Sequence, residues 1–479
     1  MNILFATPEC APWVKTGGLG DVSAALPRAL RALGHDVAIL MPAYGGMAVD
    51  GSIQSIVPLP AFGPWPAAQL LRVTAADGMP CVLLSCPALY GSAGTPYGEP
   101  AHTPLHEQAQ RFGLLSRVAA LLGTEHSPLD WRADIVHAND WPCGLAPLYL
   151  HQARLAGQHG VARSVLTIHN LAFQGVFPMD ACDLLDIPPS CRGMEGVEFW
   201  GQLSMLKAGL QFADAITTVS PTYAREIQQP ALGFGLDGVL RSRVARLHGI
   251  LNGIDEAVWN PQVDPLIPVR YGADTLDDKA LNKEALRKRC GLKQASGPLL
   301  GLVGRLTAQK GVDMVIAGAP ALLARGAQLV VLGRGEELLE ADLKALALAH
   351  PGQVHVTLGF DEALAHQIEA GADCFLMPSR FEPCGLNQMY SQAYGTPPVV
   401  TSTGGLADTV TDAGANVSDG TGFVMSIPSQ ADFDRAMDRM LHAWAQPNHW
   451  RKIQVNGMRK HFGWPAAARR YVAIYDGIR

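Results

Sequence analysis

The chain has 479 residues, more than one typical domain holds, so two or three compact units are expected. With 48% hydrophobic and 17% charged residues, and with 50 glycines and 34 prolines, it reads as a packed globular protein rich in turns rather than a disordered or fibrous one. A formal net charge of −6 argues against a general nucleic-acid binder and leaves room for a local basic cluster of the kind that holds phosphate.

The opening run "MNILFAT" lacks a basic start and is too short for a signal peptide. No run reaches the roughly 18 apolar residues that a membrane span needs. The nine cysteines, at 10, 81, 86, 143, 182, 191, 290, 374 and 384, form no CxxC pair. An odd count so scattered implies reduced, mostly buried thiols and a cytoplasmic location.

Short β-rich runs follow one another, each ending in a Gly- or Pro-bearing turn and then a helical pattern. The first half contains "NILFAT", "DVAILMP", "CVLLSC", "DIVHAN", "SVLTIHN" and "AITTVS"; the second contains "LLGLVGR", "LVVLG", "VHVTLGF", "CFLMPS" and "PPVVTS". Runs that are apolar throughout, rather than alternating, belong to parallel strands covered on both faces. The intervening "LPRALRALGHD" and "EELLEADLKALALAH" carry apolar residues at helical spacing. Two such series predict two doubly wound α/β domains, divided near the Pro- and Asp-rich stretch 251–272. Open parallel sheets bind ligands beyond the carboxyl ends of their strands, so two facing domains would place the site in a cleft between them.

The strand ends carry the polar residues. "APWVKTGGLGD" sets Lys15 before Gly17, Gly18 and Gly20, where positive-φ glycines would let backbone N–H groups approach an anion and Lys15 would add a charge. An ordinary βα loop with a solvated lysine accounts for the same pattern. Asp21 reads equally as a helix N-cap, and Pro27 implies that the helix kinks or starts later. "VHANDW" and "TIHN" bring His137, Asn139, Asp140, His169 and Asn170 to strand ends. "GRLTAQKG" places Arg305 and Lys310 five residues apart after a strand, a pair suited to a departing diphosphate. In "PSRFEPCGLNQMY", Glu382 stands at a turn before a helix whose N-terminus could also face phosphate, and "STGGLADTV" repeats a glycine pair before a helix. Cys384 alone reads as a small buried residue at a tight turn. Metal chemistry has little support: His102 and His106 suggest no third ligand, and Asp432–Phe433–Asp434 lies inside a helical pattern.

Taken in order, "KTGGLGDV", "HANDW", "TIHNLAFQG", "VSPTYAREI", "LNGID", "GRLTAQKG", "PSRFEPCGLNQMY" and "TGGLADTV" resemble bacterial glycogen synthases and plant starch synthases, from Met1 to the final "YVAIYDGIR". The resemblance implies a GT-B architecture of two facing Rossmann-like domains with an interdomain cleft. Residues 1–250 would form the glucan-acceptor side, joined by a C-terminal helix at 460–479, and residues 251–459 the nucleotide-sugar side. It implies retaining transfer of glucose from ADP-glucose to an α-1,4-glucan, with no cofactor, no metal, no nucleic acid and no membrane. Carried over by motif, Arg305 and Lys310 hold the diphosphate, Lys15 and Gly18 contact it or its surroundings, and Glu382 and His169 lie beside the donor glucose. Asp140 belongs to the same site. Asp21, Asn252, Tyr97, Cys384, Gly385, Leu386, Thr403 and Gly404 complete the expected substrate contacts. The readings that compete are a non-catalytic glucan-binding protein of the same fold and a retaining enzyme with another donor or acceptor.

The chain also departs from the family pattern. The usual "HAHDW" is "HANDW", with Asn139 for a histidine, and Thr401 and Ser402 stand where many relatives carry a basic residue. Ser92 and Ala93 replace residues that are often charged in relatives, which bears on acceptor contacts by Tyr97.

Overall fold

The computed structural model describes residues 1–48, 51–91, 96–97, 104–414 and 418–479. The chain divides into two compact units, Met1–Gly253 with Trp464–Arg479, and Ile254–Gly463.

The first unit is built on a nine-stranded sheet. Its strands lie in the order Leu247–Gly249, Ala215–Thr218, Arg163–Ile168, Ile135–Asn139, Asn2–Ala6, Asp36–Pro42, Pro80–Ser85, Ala68–Ala75 and Gly51–Leu59. The wholly apolar runs predicted as strands are all present here and pair in parallel, because both of their faces are buried. Two antiparallel strands that whole-length apolarity did not mark, Gly51–Leu59 and Ala68–Ala75, close one edge. Gly51–Leu59 is largely exposed and carries Pro58, both tolerated on an edge. The first strand is flanked by the second on one side and by Ile135–Asn139 on the other, with Phe5 paired to Ile39 and to His137. The order reverses at this point, so the loops after the two central strands diverge and leave room for a ligand.

The helix after the first strand spans Gly18–Ala32 and buries Leu19, Val22, Leu26 and Leu30 against the sheet. It starts three residues before Asp21 and runs through Pro27, so Asp21 belongs to its first turn and is not its cap. The C-terminal helix Trp464–Ile478 docks on the same unit, with Tyr471 and Tyr475 fully buried. Its Tyr475 hydroxyl lies 2.7 Å from His137 Nδ1, and Thr167 binds the other ring nitrogen at 2.5 Å. His137 is therefore a core residue, held neutral by burial that pushes it down to about 3, and not the site residue its strand-end position suggested.

The second unit has a six-stranded, all-parallel sheet, ordered Val354–Leu358, Gln328–Gly335, Leu299–Leu306, Cys374–Met377, Pro398–Thr401 and Phe423–Met425. Alternate residues feed opposite cores. Leu300, Leu302, Val331 and Val399 pack under the helices containing Val312, Leu339, Phe433 and Ile453. Leu299, Val330, Phe375 and Val400 pack under those containing Leu286 and Ile368. The switch point falls between Leu299–Leu306 and Cys374–Met377. All nine cysteines are buried and none is in a disulfide. Among the described residues, no helix is long and apolar enough to cross a membrane.

Candidate active site

In the first unit, three adjacent parallel strands end together and release the loops that carry Lys15, Asp140 and His169. Lys15 Nζ lies 2.8 Å from Asp21 Oδ1, with both side chains about one-third exposed. A pair so exposed is worth about 0–1 kcal/mol, so an anionic ligand can draw Lys15 away at little cost. The glycines do not form the expected positive-φ cradle. Gly17 is extended at φ −165°, and Gly18 and Gly20 are already helical. A Cβ on Gly20 would approach Lys15 Cγ to 3.1 Å, so this glycine makes room for the lysine.

Beneath this loop lies a residue the motifs did not single out. Glu9 is buried and accepts hydrogen bonds from the backbone N–H of Thr16, at 2.7 Å, and from its hydroxyl. Burial raises its carboxyl above the usual range, against the lowering effect of the Thr16 and Gly20 bonds. Its only sequence signal was a carboxylate directly behind the first strand. Thr16 also bonds the Tyr97 phenol, which burial pushes up. The Tyr97 ring centroid lies 6.0 Å from that of Phe112 and 6.2 Å from that of Trp141. Tyr97 thus joins the Lys15 loop, whereas Ser92, Ala93 and His102 lie outside the described residues.

Asp140 holds a left-handed backbone, φ +54°, a strain of order 1–3 kcal/mol for a residue with a side chain. Its Oδ1 accepts the backbone N–H groups of His169, at 2.7 Å, and Asn170, at 3.4 Å. Burial nevertheless pushes the carboxyl up to about 7, since those bonds offset only part of the desolvation. His169 presents Nε2 to Asn139 Oδ1 at 2.9 Å, and burial lowers its ring to about 3. Asn252 is buried near the point where the chain leaves this unit, and its Oδ1 has no partner among the described residues.

In the second unit, the loops after Leu299–Leu306 and Cys374–Met377 are laced together. Lys310 Nζ pairs with Glu382 Oε2, which Ser379 Oγ also approaches at 3.2 Å. Arg380 grips Asp313 with two bonds, at 2.7 and 2.6 Å, and donates its backbone N–H to Gln309 O at 2.8 Å. That grip holds the Asp313 carboxyl below its usual range. Arg380, Asp313 and Ser379 were not predicted: the partners Arg380 and Asp313 lie 67 positions apart, and Ser379 stands in the Glu382 motif without any signal of its own. Arg305 is exposed, and its side chain has no hydrogen-bond or ion-pair partner among the described residues. Gly311 permits the crossing of the two loops: at φ +70°, its Cβ would come within 2.1 Å of Pro378 O.

The second glycine pair has a different use from the one its motif suggested. Gly404, at φ +42°, presses so close that a Cβ would sit 1.9 Å from Glu382 O, and one on Gly405 would sit 2.1 Å from Cys384 O. Gly405 N–H bonds Glu382 O at 3.2 Å, so this segment buttresses the backbone of Glu382. Cys384 and Thr403 are buried beside it, Gly385 takes φ +71°, and Leu386 precedes the short helix Asn387–Ala393. Among the described residues, no three His, Cys, Asp or Glu side chains gather as a metal-ligand set.

Residues 2–242 match the family model described as the starch synthase catalytic domain, and residues 283–455 match glycosyl transferases group 1. A glycogen synthase of Paracidovorax citrulli is 63% identical, with 100% of this chain and 95% of that protein covered. One of Aromatoleum aromaticum is 50% identical, with 100% and 97% covered. The catalytic domain of starch synthase IV from Arabidopsis thaliana, bound to ADP and acarbose, superposes with a TM-score of 0.88 at 30% identity, covering 100% of this chain and 99% of that one. Sucrose-phosphate synthase from Thermosynechococcus elongatus shares the fold at 18% identity, with a TM-score of 0.63.

Proposed function

The chain belongs to the glycogen synthase family of GT-B glycosyltransferases, and from that premise we propose that it transfers glucose from ADP-glucose to the non-reducing 4-OH of an α-1,4-glucan, with retention at C1. In this reading the C1–O bond to the diphosphate breaks with its electron pair leaving on oxygen, and the acceptor O4 bonds C1 as its proton passes to the departing diphosphate oxygen. Arg305 and Lys310 stabilise the diphosphate as negative charge grows on it. Lys15 is assigned to the same phosphates, and His169 and Asp140 to the glucosyl group. Glu382, which pairs with Lys310 and accepts from Ser379, supplies negative charge beside the sugar carbon as that carbon becomes positive. Charge compensation by cationic side chains needs no metal, and a cytoplasmic location accords with nine unbridged thiols.

The observation that carries the reading is the second unit's switch point. There an exposed Arg305, whose side chain has no partner among the described residues, stands five positions from a lysine already seated on a carboxylate. The ADP in the Arabidopsis relative supports an adenine donor for this chain. Competition between differently labelled ADP-glucose and UDP-glucose, with glycogen as acceptor, tests it. Incorporation is expected chiefly from ADP-glucose and undiminished in EDTA. Arg305→Ala should lower kcat/KM by about 10²–10³. No incorporation from either donor, or EDTA inhibition reversed by Mg²⁺, would refute the corresponding part.

A further inference from the structure

Asn139 and His169 end neighbouring strands, 30 residues apart in sequence, and meet side chain to side chain at 2.9 Å. Two backbone carbonyls settle the polarity of that contact. Asn139 Nδ2 donates to Ala6 O at 2.9 Å and reaches His137 O at 3.3 Å. A carbonyl only accepts, so the amide nitrogen must face those two oxygens, and a flipped amide would set Oδ1 against them. Oδ1 is therefore the atom that faces His169 Nε2, and an amide oxygen accepts only, so Nε2 carries the proton.

The surroundings keep the ring neutral. The Asp140 carboxylate is turned to the backbone N–H groups of His169 and Asn170. His137 is fully buried, with both ring nitrogens engaged by Tyr475 and Thr167, and Glu9 bonds Thr16. With the only ring proton on Nε2, Nδ1 is a bare acceptor, and it has no partner among the described residues.

We propose that Asn139 is a positioning residue that locks His169 as the Nε2–H tautomer, so that the ring offers the substrate an acceptor at Nδ1 and receives a sugar hydroxyl there. The inference rests on the glucosyl-transfer reading for its substrate; the tautomer is a property of the protein alone, and the two are tested separately.

The test uses full-length protein labelled with 15N-histidine, with His169→Gln to assign the signal. The wild type should show Nε2 protonated and Nδ1 bare from pH 6 to 8. Asn139→Asp keeps an acceptor toward Nε2 but places a charge there, so both ring nitrogens become protonated near neutral pH. Its kcat at pH 7 should fall at least about tenfold, because a protonated Nδ1 can no longer accept from the sugar hydroxyl. Activity should then recover as the pH rises past the new ring pKa, which a misfolded variant would not do. Asn139→His retains both a donor for Ala6 O and an acceptor for Nε2–H, and should stay within about threefold of the wild type. Protonation of wild-type Nδ1, or an Asn139→Asp pH profile parallel to the wild type, would overturn the inference. A wild type that transfers no glucose yet shows the stated tautomer would instead refute the transfer reading and leave the lock standing.

Discussion

Lys310 and Glu382 form a pair whose structural and chemical contributions are separable. Their side chains are 22% and 8% exposed, so removal of one strands a largely buried charge on the other. Lys310→Ala leaves the Glu382 carboxylate with the Ser379 hydroxyl as its remaining side-chain partner. Breaking a buried pair typically costs about 3–5 kcal/mol, and the partial exposure of Lys310 places this case near 2–3 kcal/mol. Lys310→Ala/Glu382→Gln removes both charges and should recover most of that loss. If Lys310 also stabilises a departing diphosphate, the double variant regains stability but stays about 10²–10³ below Glu382→Gln alone in kcat. Urea unfolding monitored beside labelled-glucose incorporation reads both quantities. A double variant as active as Glu382→Gln alone would reduce Lys310 to a counter-ion for Glu382. A single variant destabilised by less than about 0.5 kcal/mol would show that the pair carries none of the argued weight.

Gly404→Ala forces a left-handed φ on a side-chain-bearing residue and drives a methyl into Glu382 O. It should cost at least about 2 kcal/mol in unfolding free energy and lower kcat by about tenfold or more, because the displaced backbone is the one that carries Glu382. Wild-type activity with wild-type stability would disprove the buttress. A second prediction concerns the buried network of Asp264, His366 and Tyr394, in which Asp264 Oδ2 lies 2.7 Å from His366 Nδ1 and accepts the Tyr394 hydroxyl at 2.6 Å. Burial alone would lower His366, but the bonds and charges of Asp264 and Glu362 outweigh it and raise the ring. Burial alone would raise Asp264, and the bonds from His366, Tyr394 and the Leu266 amide bring it down instead. The raised histidine contributes stability that is fully present below about pH 6.5 and is lost as pH rises through its folded value. The lowered aspartate contributes above about pH 4 and loses its share as acid protonates it. Unfolding free energy should therefore decline above pH 6.5 in the wild type and lose that slope in His366→Gln; equal slopes would refute the coupling.

The strand ends were legible because parallel strands buried on both faces write themselves as unbroken apolar runs, and in an α/β sheet the next polar residues stand at the binding edge. "DIVHAN", "SVLTIHN" and "LLGLVGR" therefore pointed to Asp140, His169 and Arg305 before any coordinate. The same rule misplaced His137, since it cannot tell which strand-end side chain turns inward, and here a tyrosine more than 300 positions later decides that. Glycine was the least legible residue. A glycine in a sequence announces freedom without saying which freedom is used. At Gly20 it is side-chain room for Lys15, and at Gly404 it is close backbone approach together with a positive φ. Gly17 takes an extended conformation open to other residues, and the anion cradle inferred from all three glycines of the first loop disappeared with it.

Partner choice is a further step removed from sequence. Lys310 and Glu382 lie 72 positions apart, as do Gln309 and Phe381, and both links exist because the strands Leu299–Leu306 and Cys374–Met377 are neighbours across the switch point. Local spacing can nominate a lysine and a carboxylate, but only the strand order decides that they pair with each other. That pairing changes what the donor must do. If the donor diphosphate binds Lys310 as proposed, it competes with an existing carboxylate, and part of its binding energy goes into releasing Glu382. A charge freed from its counter-ion only when donor is present is poised to act on the sugar at that moment and not before. Glu382→Gln should therefore bind ADP more tightly than the wild type while transferring glucose more slowly. Calorimetry of ADP binding beside the transfer assay decides it: unchanged or weaker ADP binding in Glu382→Gln would show that the pair imposes no such competition.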